Sequence, residues 1–287
     1  MLSLKRRNCW PLAKNTNKWL ARIEGVHWFM KWFAVFFIAT GVAHVHMQVQ
    51  AQTQTQTQTQ TQTLIAPQAP TPAFNDRVRL DDLKGLFIDK TEVTIAQFAR
   101  YAKTTGVQTR AEKEGGGFEY VAGWQRRAGW TWQRPDGVPP SSQDLPAVHL
   151  TFAEAQAYCQ WAQGRLPTAS EWQRAAFTEL RRDPPASWVR GKTYAWHTGD
   201  SPQGANTSDP DPWPRAAPVM QTKAGVNGLH DMGANVWEWA SDARGDERRT
   251  MGGSWWYPAY QMKADVEAWK PADFYAVYIG FRCVYEK

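Results

Sequence analysis

Cysteine and histidine are scarce in this sequence, which holds three Cys and six His in 287 residues. Beyond residue 51 the histidines are His149, His197 and His230, and they show neither His-x-Glu nor His-x-x-x-His spacing. Those spacings are typical of zinc and non-haem iron sites, so each histidine is expected to be a hydrogen-bonded structural residue. A Gly-x-Ser-x-Gly sequence is also missing, which removes the usual signal for a hydrolase nucleophile elbow. A Ser-His-Asp site assembled in space stays open.

Most of the chain has no excess of charge. The formal net charge is +6, yet residues 1–51 alone contain seven basic residues and one acidic residue. The rest of the chain is therefore neutral, which argues against nucleic acid as a partner.

Long hydrophobic runs are equally rare. The apolar stretch 32–43 follows the basic residues and is short for a bilayer span, as in signal peptides. The sequence 49–51, Val-Gln-Ala, offers a small-residue cleavage site. Residues 1–51 are thus predicted to be a signal peptide, with an uncleaved N-terminal anchor starting near Trp28 as the alternative. Both predict a periplasmic location for the rest of the chain, and the anchor would add the only membrane contact, at the inner membrane.

Residues 52–73 contain six Gln-Thr pairs and three prolines. Both faces of such a segment are polar, so it is predicted to be a disordered linker. Residues 74–287 are then long enough for one domain with a sizeable core.

Three capping boxes predict helices, because a Thr precedes a Gln or Glu by three residues in each: Thr94 with Gln97, Thr151 with Glu154, and Thr168 with Glu171. The first helix should end at Gly106 and the second at Gly164. The third should carry Trp172 and Glu179 on one side.

Regular structure should be sparse elsewhere. Residues 115–143 show no sustained period and are predicted to be a surface loop. After residue 184, Gly, Pro, Asp and Trp interrupt short apolar pieces. Thirteen of the 17 Trp lie beyond residue 51 and would supply much of the core.

The run 231–239, Asp-Met-Gly-Ala-Asn-Val-Trp-Glu-Trp, places two carboxylates around a bend. Such a run can direct carboxylate and carbonyl oxygens at one hard cation such as calcium. A buried turn whose carboxylates cap backbone N–H groups is the alternative. The two cysteines beyond residue 51, Cys159 and Cys283, form either one disulfide or two buried thiols.

Short segments in order along residues 86–284 resemble the formylglycine-generating enzyme, or sulfatase-modifying factor, family. They are 87–94, 157–168, 171–172, 227–229, 237–239, 252–255 and 280–283. The resemblance implies an α+β domain with little regular secondary structure, distantly related to C-type-lectin-like folds.

The resemblance also implies two structural calcium sites. In one, Asp231 and Glu238 bind by side chain and Ala234 and Val236 by backbone carbonyl. In the other, the ligands are Asn206, Thr207, Asp211 and Trp213. Oxygen-only ligands suit calcium rather than zinc or copper. Ala234 replaces a usual Gly, and two prolines flank Asp211, so both runs depart from the family pattern.

The copper chemistry of the family is not implied. Tyr257 and Met262 occupy the positions of the two cysteines that bind copper in the family, and a phenol with one thioether cannot replace two thiolates. Neither copper nor formylglycine-generating activity is therefore expected. Cys159 and Cys283 instead match the structural bridge of the family, which implies a disulfide.

Two functions are left. The first is an exported binding, accessory or regulatory module with a protein partner in the periplasm or cell envelope, for example in a secretion system such as type VI. The former active-site groove would then be a contact surface lined by Trp255, Trp256, Tyr257, Tyr260 and Met262. Alternatively, these side chains refill the core that the cysteines left. The second function is an oxidative tailoring enzyme resembling the periplasmic oxidoreductase of pyoverdine maturation.

Overall fold

The computed structural model describes residues 76–263, 266 and 268–286. The predicted leader, 1–51, and the predicted linker, 52–73, lie outside these residues. The described helices are α1 (Ile95–Thr105), α2 (Arg110–Lys113), α3 (Phe152–Trp161) and α4 (Ala169–Phe177). The strands are β1 (Arg77–Leu80), β2 (Leu86–Asp89), β3 (Gly116–Tyr120), β4 (Trp124–Ala128), β5 (Trp237–Arg244), β6 (Glu247–Met251), β7 (Ala268–Pro271), β8 (Ile279–Gly280) and β9 (Val284–Tyr285). This confirms the predicted α+β class with little regular secondary structure.

The strands form three small sheets. β1, β2 and β9 make an antiparallel sheet, β3 and β4 make a hairpin, and the third sheet has the order β7-β6-β5-β8. β5 and β8 are parallel, with Glu238 opposite Gly280. The third sheet therefore brings the run 231–239 beside the end of the chain.

All three predicted capping boxes are present. In the first, the Gln97 side chain accepts the N–H of Thr94 at 2.8 Å, and α1 ends at Gly106, whose φ of 70° suits glycine. α3 ends three residues before the predicted Gly164. The placement of Glu179 on α4 was wrong, because the helix ends at Phe177 and Thr178 is already extended.

The prediction of a surface loop over residues 115–143 was also wrong, because part of it forms the β3–β4 hairpin. β4 contains Gln125, Arg126 and Arg127 and has no apolar alternation, so its sequence gives no strand signal. The hairpin packs closely on the rest of the domain: a Cβ on Gly117 would lie 2.0 Å from Nδ1 of His149. Tertiary contact thus decides this element.

The largest core cluster lies between α1, α3 and the end of the chain. Phe98 of α1 stacks on Tyr158 of α3 with ring centroids 5.8 Å apart, and Phe281 meets Tyr158 edge-on at 5.3 Å. The Cys159–Cys283 disulfide implied by the resemblance is present beside them, with a Cα–Cα distance of 5.6 Å. Among the described residues no helix has the length and apolar character needed to cross a membrane.

Candidate functional site

The run 231–238 is a tight turn that leads into β5. Asp231, Gly233 and Asn235 have positive φ values of 61°, 94° and 58°, which Asp, Asn and Gly adopt most easily. A Cβ on Gly252 would lie 2.5 Å from Cα of Gly233, and Gly253 donates its N–H to the Gly233 carbonyl at 2.8 Å. The two adjacent glycines therefore let segment 252–262, which carries the predicted groove, pack directly on this turn.

Glu238 is held by a buried guanidinium. Its Oε1 accepts from Nη2 of Arg282 at 2.8 Å, and its Oε2 accepts from Nε of Arg282 and from Nε1 of Trp172, both at 2.8 Å. Arg282 also donates to the carbonyl oxygens of His230 and Asp89. Such bidentate pairing fixes the carboxylate and uses most of its acceptor capacity.

Two further carboxyl groups beside this pair are incompletely satisfied. Oδ1 of Asp231 accepts from the Thr222 hydroxyl at 2.6 Å, and Oε1 of Glu92 accepts from the Asn235 amide at 3.1 Å. Their other oxygens are buried without a hydrogen-bond partner in the described part of the chain. Burial raises the pKa of Asp231 to about 6, and the Glu238 carboxylate adds to this. Burial and the Asp231 carboxylate hold the pKa of Glu92 well above its ordinary value.

The charges of this cluster do not balance. Glu92, Asp231 and Glu238 are three buried carboxyl groups against the single guanidinium of Arg282. Buried net charge is costly, so the cluster favours either a bound cation or proton uptake. Within the described residues no three His, Cys, Asp or Glu side chains are arranged to hold a metal by themselves. A calcium ion here would need the backbone carbonyls of the turn as well.

The second predicted calcium loop, 206–213, is wrapped around Asp211. The two carboxylate oxygens of Asp211 accept the N–H groups of Thr207 at 2.9 Å and Trp213 at 2.8 Å. The side-chain amide of Asn206 donates to the Arg215 carbonyl, while its Oδ1 is buried and has no partner among the described residues. An orphaned buried amide oxygen beside an ionisable carboxylate is a donor set that fits a hard cation. Both predicted sites thus contain buried oxygens without a partner among the described residues, the Asn206 amide oxygen here and one carboxylate oxygen each of Asp231 and Glu92 at the turn.

The two predicted calcium sites are neighbours. The backbone N–H of Asn235, inside the turn, donates to the Asn206 carbonyl at 3.0 Å. The Asn206 amide donates in return to Oδ1 of Asn235 at 2.9 Å. The structure thus joins two runs that are separate in the sequence, and Asn235 also links them to Glu92.

The five predicted groove residues do not share one environment. Trp255 and Met262 are buried, at 6% and 1% exposed, whereas Trp256 and Tyr260 are 38% and 61% exposed. Tyr257 is half-buried and forms a hydrogen bond with the side chain of Tyr278. Part of this segment therefore fills the core, and part of it faces solvent.

A cleft of about 400 Å³ is lined by residues of the 206–213 loop and of the groove segment. Asp209, Asp211 and Trp213 lie on one wall, and Trp255 and Trp256 lie on the other. The 206–213 loop and the groove segment therefore meet at this cleft.

The prediction for the histidines is correct for two of the three. His149 Nε2 lies 2.9 Å from the Pro135 carbonyl, and His230 Nδ1 lies 3.2 Å from the Thr222 carbonyl. It is wrong for His197, whose ring nitrogens are buried without a partner among the described residues. Burial and the nearby Arg282 lower the pKa of His197 to about 3, so its ring is neutral.

Two residues of the buried cluster received no role from the sequence. Glu92 and Arg282 lie in the recognised segments 87–94 and 280–283, but isolated charged residues in such segments do not reveal their partners. Arg282 and Glu238 are 44 residues apart. For Arg282 the available signal was a single charged residue between Phe281 and Cys283, since such residues are seldom buried unless paired, whereas Glu92 lies in a polar segment and had no such signal.

Comparison with known proteins identifies the family. A model of the sulfatase-modifying factor enzyme 1-like domain matches residues 45–287. The formylglycine-generating enzyme of Streptomyces coelicolor is 32% identical over 193 residues, which are 56% of this chain and 58% of that enzyme. The inactive C-alpha-formylglycine-generating enzyme 2 of Mus musculus is 25% identical over 70% of this chain and 75% of its own.

Other relatives have different names. The hercynine oxygenase of Mycolicibacterium thermoresistibile is 28% identical over 63% of this chain and 49% of its own. The solved structure of PvdO from Pseudomonas aeruginosa is 21% identical, with a TM-score of 0.49 over 70% of this chain and 80% of that one. Because the family model covers most of the sequence, the chain belongs to the sulfatase-modifying factor enzyme 1-like family.

Proposed function

We propose that this protein is an exported binding or accessory module of the sulfatase-modifying factor fold, without formylglycine-generating chemistry. The main support for the proposal is the chemistry of Tyr257 and Met262, which stand where the family has its two copper-binding cysteines. Met262 is buried in a small apolar cluster, and Tyr257 is occupied by its hydrogen bond with Tyr278. A thioether and a neutral phenol do not form the soft thiolate pair that Cu(I) prefers, so these residues do not fit copper. The existence of an inactive relative supports the same proposal.

The exposed part of the groove segment supports a contact role. Trp256 and Tyr260 are large, exposed side chains on a segment anchored by buried Trp255 and Met262. Exposed aromatic residues on a rigid base are typical of interface anchors. The partner that we propose is a protein of the periplasm or cell envelope.

Calcium is proposed as a structural ion of this surface. Asn206, Thr207, Asp211 and Trp213 would hold it in the loop that forms the opposite wall of the cleft. Bound calcium would neutralise the Asp211 charge and fix the loop by oxygen coordination. Asp231 and Glu238, with the carbonyls of the turn, are the proposed second site.

The decisive experiment measures formylglycine formation. The purified domain is mixed with a sulfatase-type cysteine peptide, copper and a reductant, and the peptide mass is followed. The mass should stay unchanged, while the Streptomyces coelicolor relative, run as a positive control, should convert the peptide. Conversion above the no-protein rate would overturn the proposal.

A second experiment tests the contact surface. Trp256→Ala and Tyr260→Ala should abolish capture of a periplasmic partner and shift the melting temperature by only a few degrees, as for ordinary surface substitutions. Val189→Ala, at an exposed apolar residue elsewhere, is the matched control. A collapse in stability would instead mean that these side chains serve the core.

An oxidative tailoring enzyme is the second candidate, supported by the similarity to hercynine oxygenase. Elemental analysis after calcium removal, together with absorbance spectra, would test it. A stoichiometric redox metal or bound organic cofactor, with oxygen uptake in the presence of a reducing substrate, would favour the enzyme over the binding module.

A further inference from the structure

The cleft between the 206–213 loop and the groove segment has an unusual lining. Of the nine residues around it, three are Trp and two are Asp, and none is Lys, Arg or His. Its volume of about 400 Å³ is within the range of ligand pockets. Both the charge and the aromatic rings favour a positively charged occupant.

The carboxylates of Asp209 and Asp211 are held by backbone N–H groups and not by a basic side chain of the described residues. Oδ2 of Asp209 accepts the backbone N–H of Ala259 at 3.0 Å, and Asp211 accepts two backbone N–H groups of its own loop. Neither Asp forms an ion pair with a Lys or Arg that the structure describes. The negative charge is therefore held in position at the cleft and is available to a ligand.

The aromatic wall can receive a cation. Trp256 is partly exposed and stands edge-on to Trp255, with ring centroids 5.4 Å apart at 84°. The protein already uses Trp255 in this way, since the guanidinium carbon of Arg215 lies 5.2 Å from the centre of its ring. Arg215 is itself paired with Glu119 and Asp136, so it does not neutralise the cleft.

Trp255 gives an independent indication of a ligand. This residue lines the cleft and is 94% buried, because its exposed fraction is 6%, yet its indole N–H has no acceptor among the described residues. A buried donor without an acceptor costs stability, so a small shift of the indole that let a ligand carbonyl oxygen reach this N–H would be favoured. A peptide offers a carbonyl oxygen close to a charged side chain.

We propose that this cleft binds a basic side chain, Arg or Lys, of the partner protein, with the cation between the Asp209 carboxylate and the Trp256 ring. The inference rests on the proposed function and names the chemistry of the partner. Thr207, Asp211 and Trp213 line the cleft and are also proposed for calcium, whereas exposed Asp209 is not, so calcium in the loop would still leave the Asp209 carboxylate for the cation. Binding should therefore persist in both calcium and chelator.

The test uses a matched pair of small probes, N-acetyl-arginine amide and N-acetyl-citrulline amide, which have nearly the same shape but differ in charge. Indole N–H signals of the wild-type domain are followed by NMR during titration, and the Trp256 signal is assigned by its loss in Trp256→Leu. The arginine probe should give a saturable shift of that signal, and the citrulline probe should bind at least about threefold more weakly, as a lost cation contact predicts.

Variants locate the binding. Two substitutions should each raise the dissociation constant of the arginine probe by about two- to fivefold or more. They are Trp256→Leu and Asp209→Asn, of which the latter keeps an oxygen for the Ala259 N–H. Val189→Ala, at an exposed apolar residue outside the cleft lining, should leave binding of the arginine probe unchanged. Higher salt should weaken binding of the arginine probe only.

Several results would overturn the inference. They are equal binding of the two probes, no saturable shift with either, or an unchanged affinity in Asp209→Asn. Tighter binding of tetramethylammonium than of the arginine probe would assign the cleft to a free organic cation instead. If no probe binds but Trp256→Ala and Tyr260→Ala still abolish partner capture, the inference fails and the proposed function stands.

Discussion

Replacing Arg282 by methionine should destabilise the protein strongly. Arg282 and Glu238 form a fully buried ion pair. Arg282 also donates to the carbonyl oxygens of Asp89 and His230, and the Trp172 indole donates to Glu238. Removing one partner of a buried ion pair costs about 3–5 kcal/mol, because the other charge is left uncompensated. A domain of this size loses about 2–4 °C per kcal/mol, so the melting temperature should fall by about 6–20 °C.

The loss should depend on pH with a defined sign. The Arg282 charge lowers the pKa of both Asp231 and Glu92, so these carboxyl pKa values should rise further in the variant. A carboxyl group with a raised pKa in the folded state destabilises the fold as pH rises from its unfolded pKa to its folded pKa. In excess chelator, the variant should therefore lose less unfolding free energy at pH 5 than at pH 8, as measured by urea denaturation.

A surface pair provides the control for this prediction. Arg165 also pairs with a carboxylate, that of Glu171, but its side chain is partly exposed. Arg165→Met should therefore cost about 1 kcal/mol or less. In a double-mutant cycle, Arg282→Met combined with Glu238→Gln should cost less than the sum of the two single changes. A loss below about 1 kcal/mol for Arg282→Met would refute the reasoning from buried charge.

Three further predictions concern stability. At free calcium about 100 times the dissociation constant, the unfolding free energy should rise by about 2.7 kcal/mol. That gain is for one site, so Asp211→Asn should abolish the contribution of the 206–213 site and Asp209→Asn should keep it, and urea curves that do not respond to chelator in the wild type would reject calcium. The disulfide closes a separation of 124 residues. Cys159→Ala with Cys283→Ala should therefore lower the unfolding free energy by about 4–5 kcal/mol in the chain-entropy model, and an unchanged urea midpoint would contradict this. Burial lowers the pKa of His149 to about 4 from its ordinary 6.5, so about 3 kcal/mol of stability should be present above pH 6.5 and lost as pH falls toward 4. His149→Asn, which tolerates the φ of 60° there, should show a weaker acid dependence in urea denaturation across this pH range.

The sequence by itself determined the features that depend on near neighbours in the chain. The Thr94–Gln97 box and its two counterparts could be read directly, because the cap and its partner are three residues apart and meet within one helical turn. The family motifs also specified the fold class and the disulfide partners, through the resemblance rather than through spacing.

Tertiary structure decided everything that depends on distant partners. The sequence could not show that Arg282 holds Glu238, or that Glu92 lies beside Asp231, because these groups meet only when the β1-β2-β9 and β7-β6-β5-β8 sheets have come together. Trp255 and Trp256 are adjacent and of the same residue type, so the sequence cannot distinguish them, yet Trp255 is buried and Trp256 is exposed. The physical reason is that burial and electrostatic partners are properties of packed surfaces, whereas a sequence pattern records only what lies within a few residues along the chain.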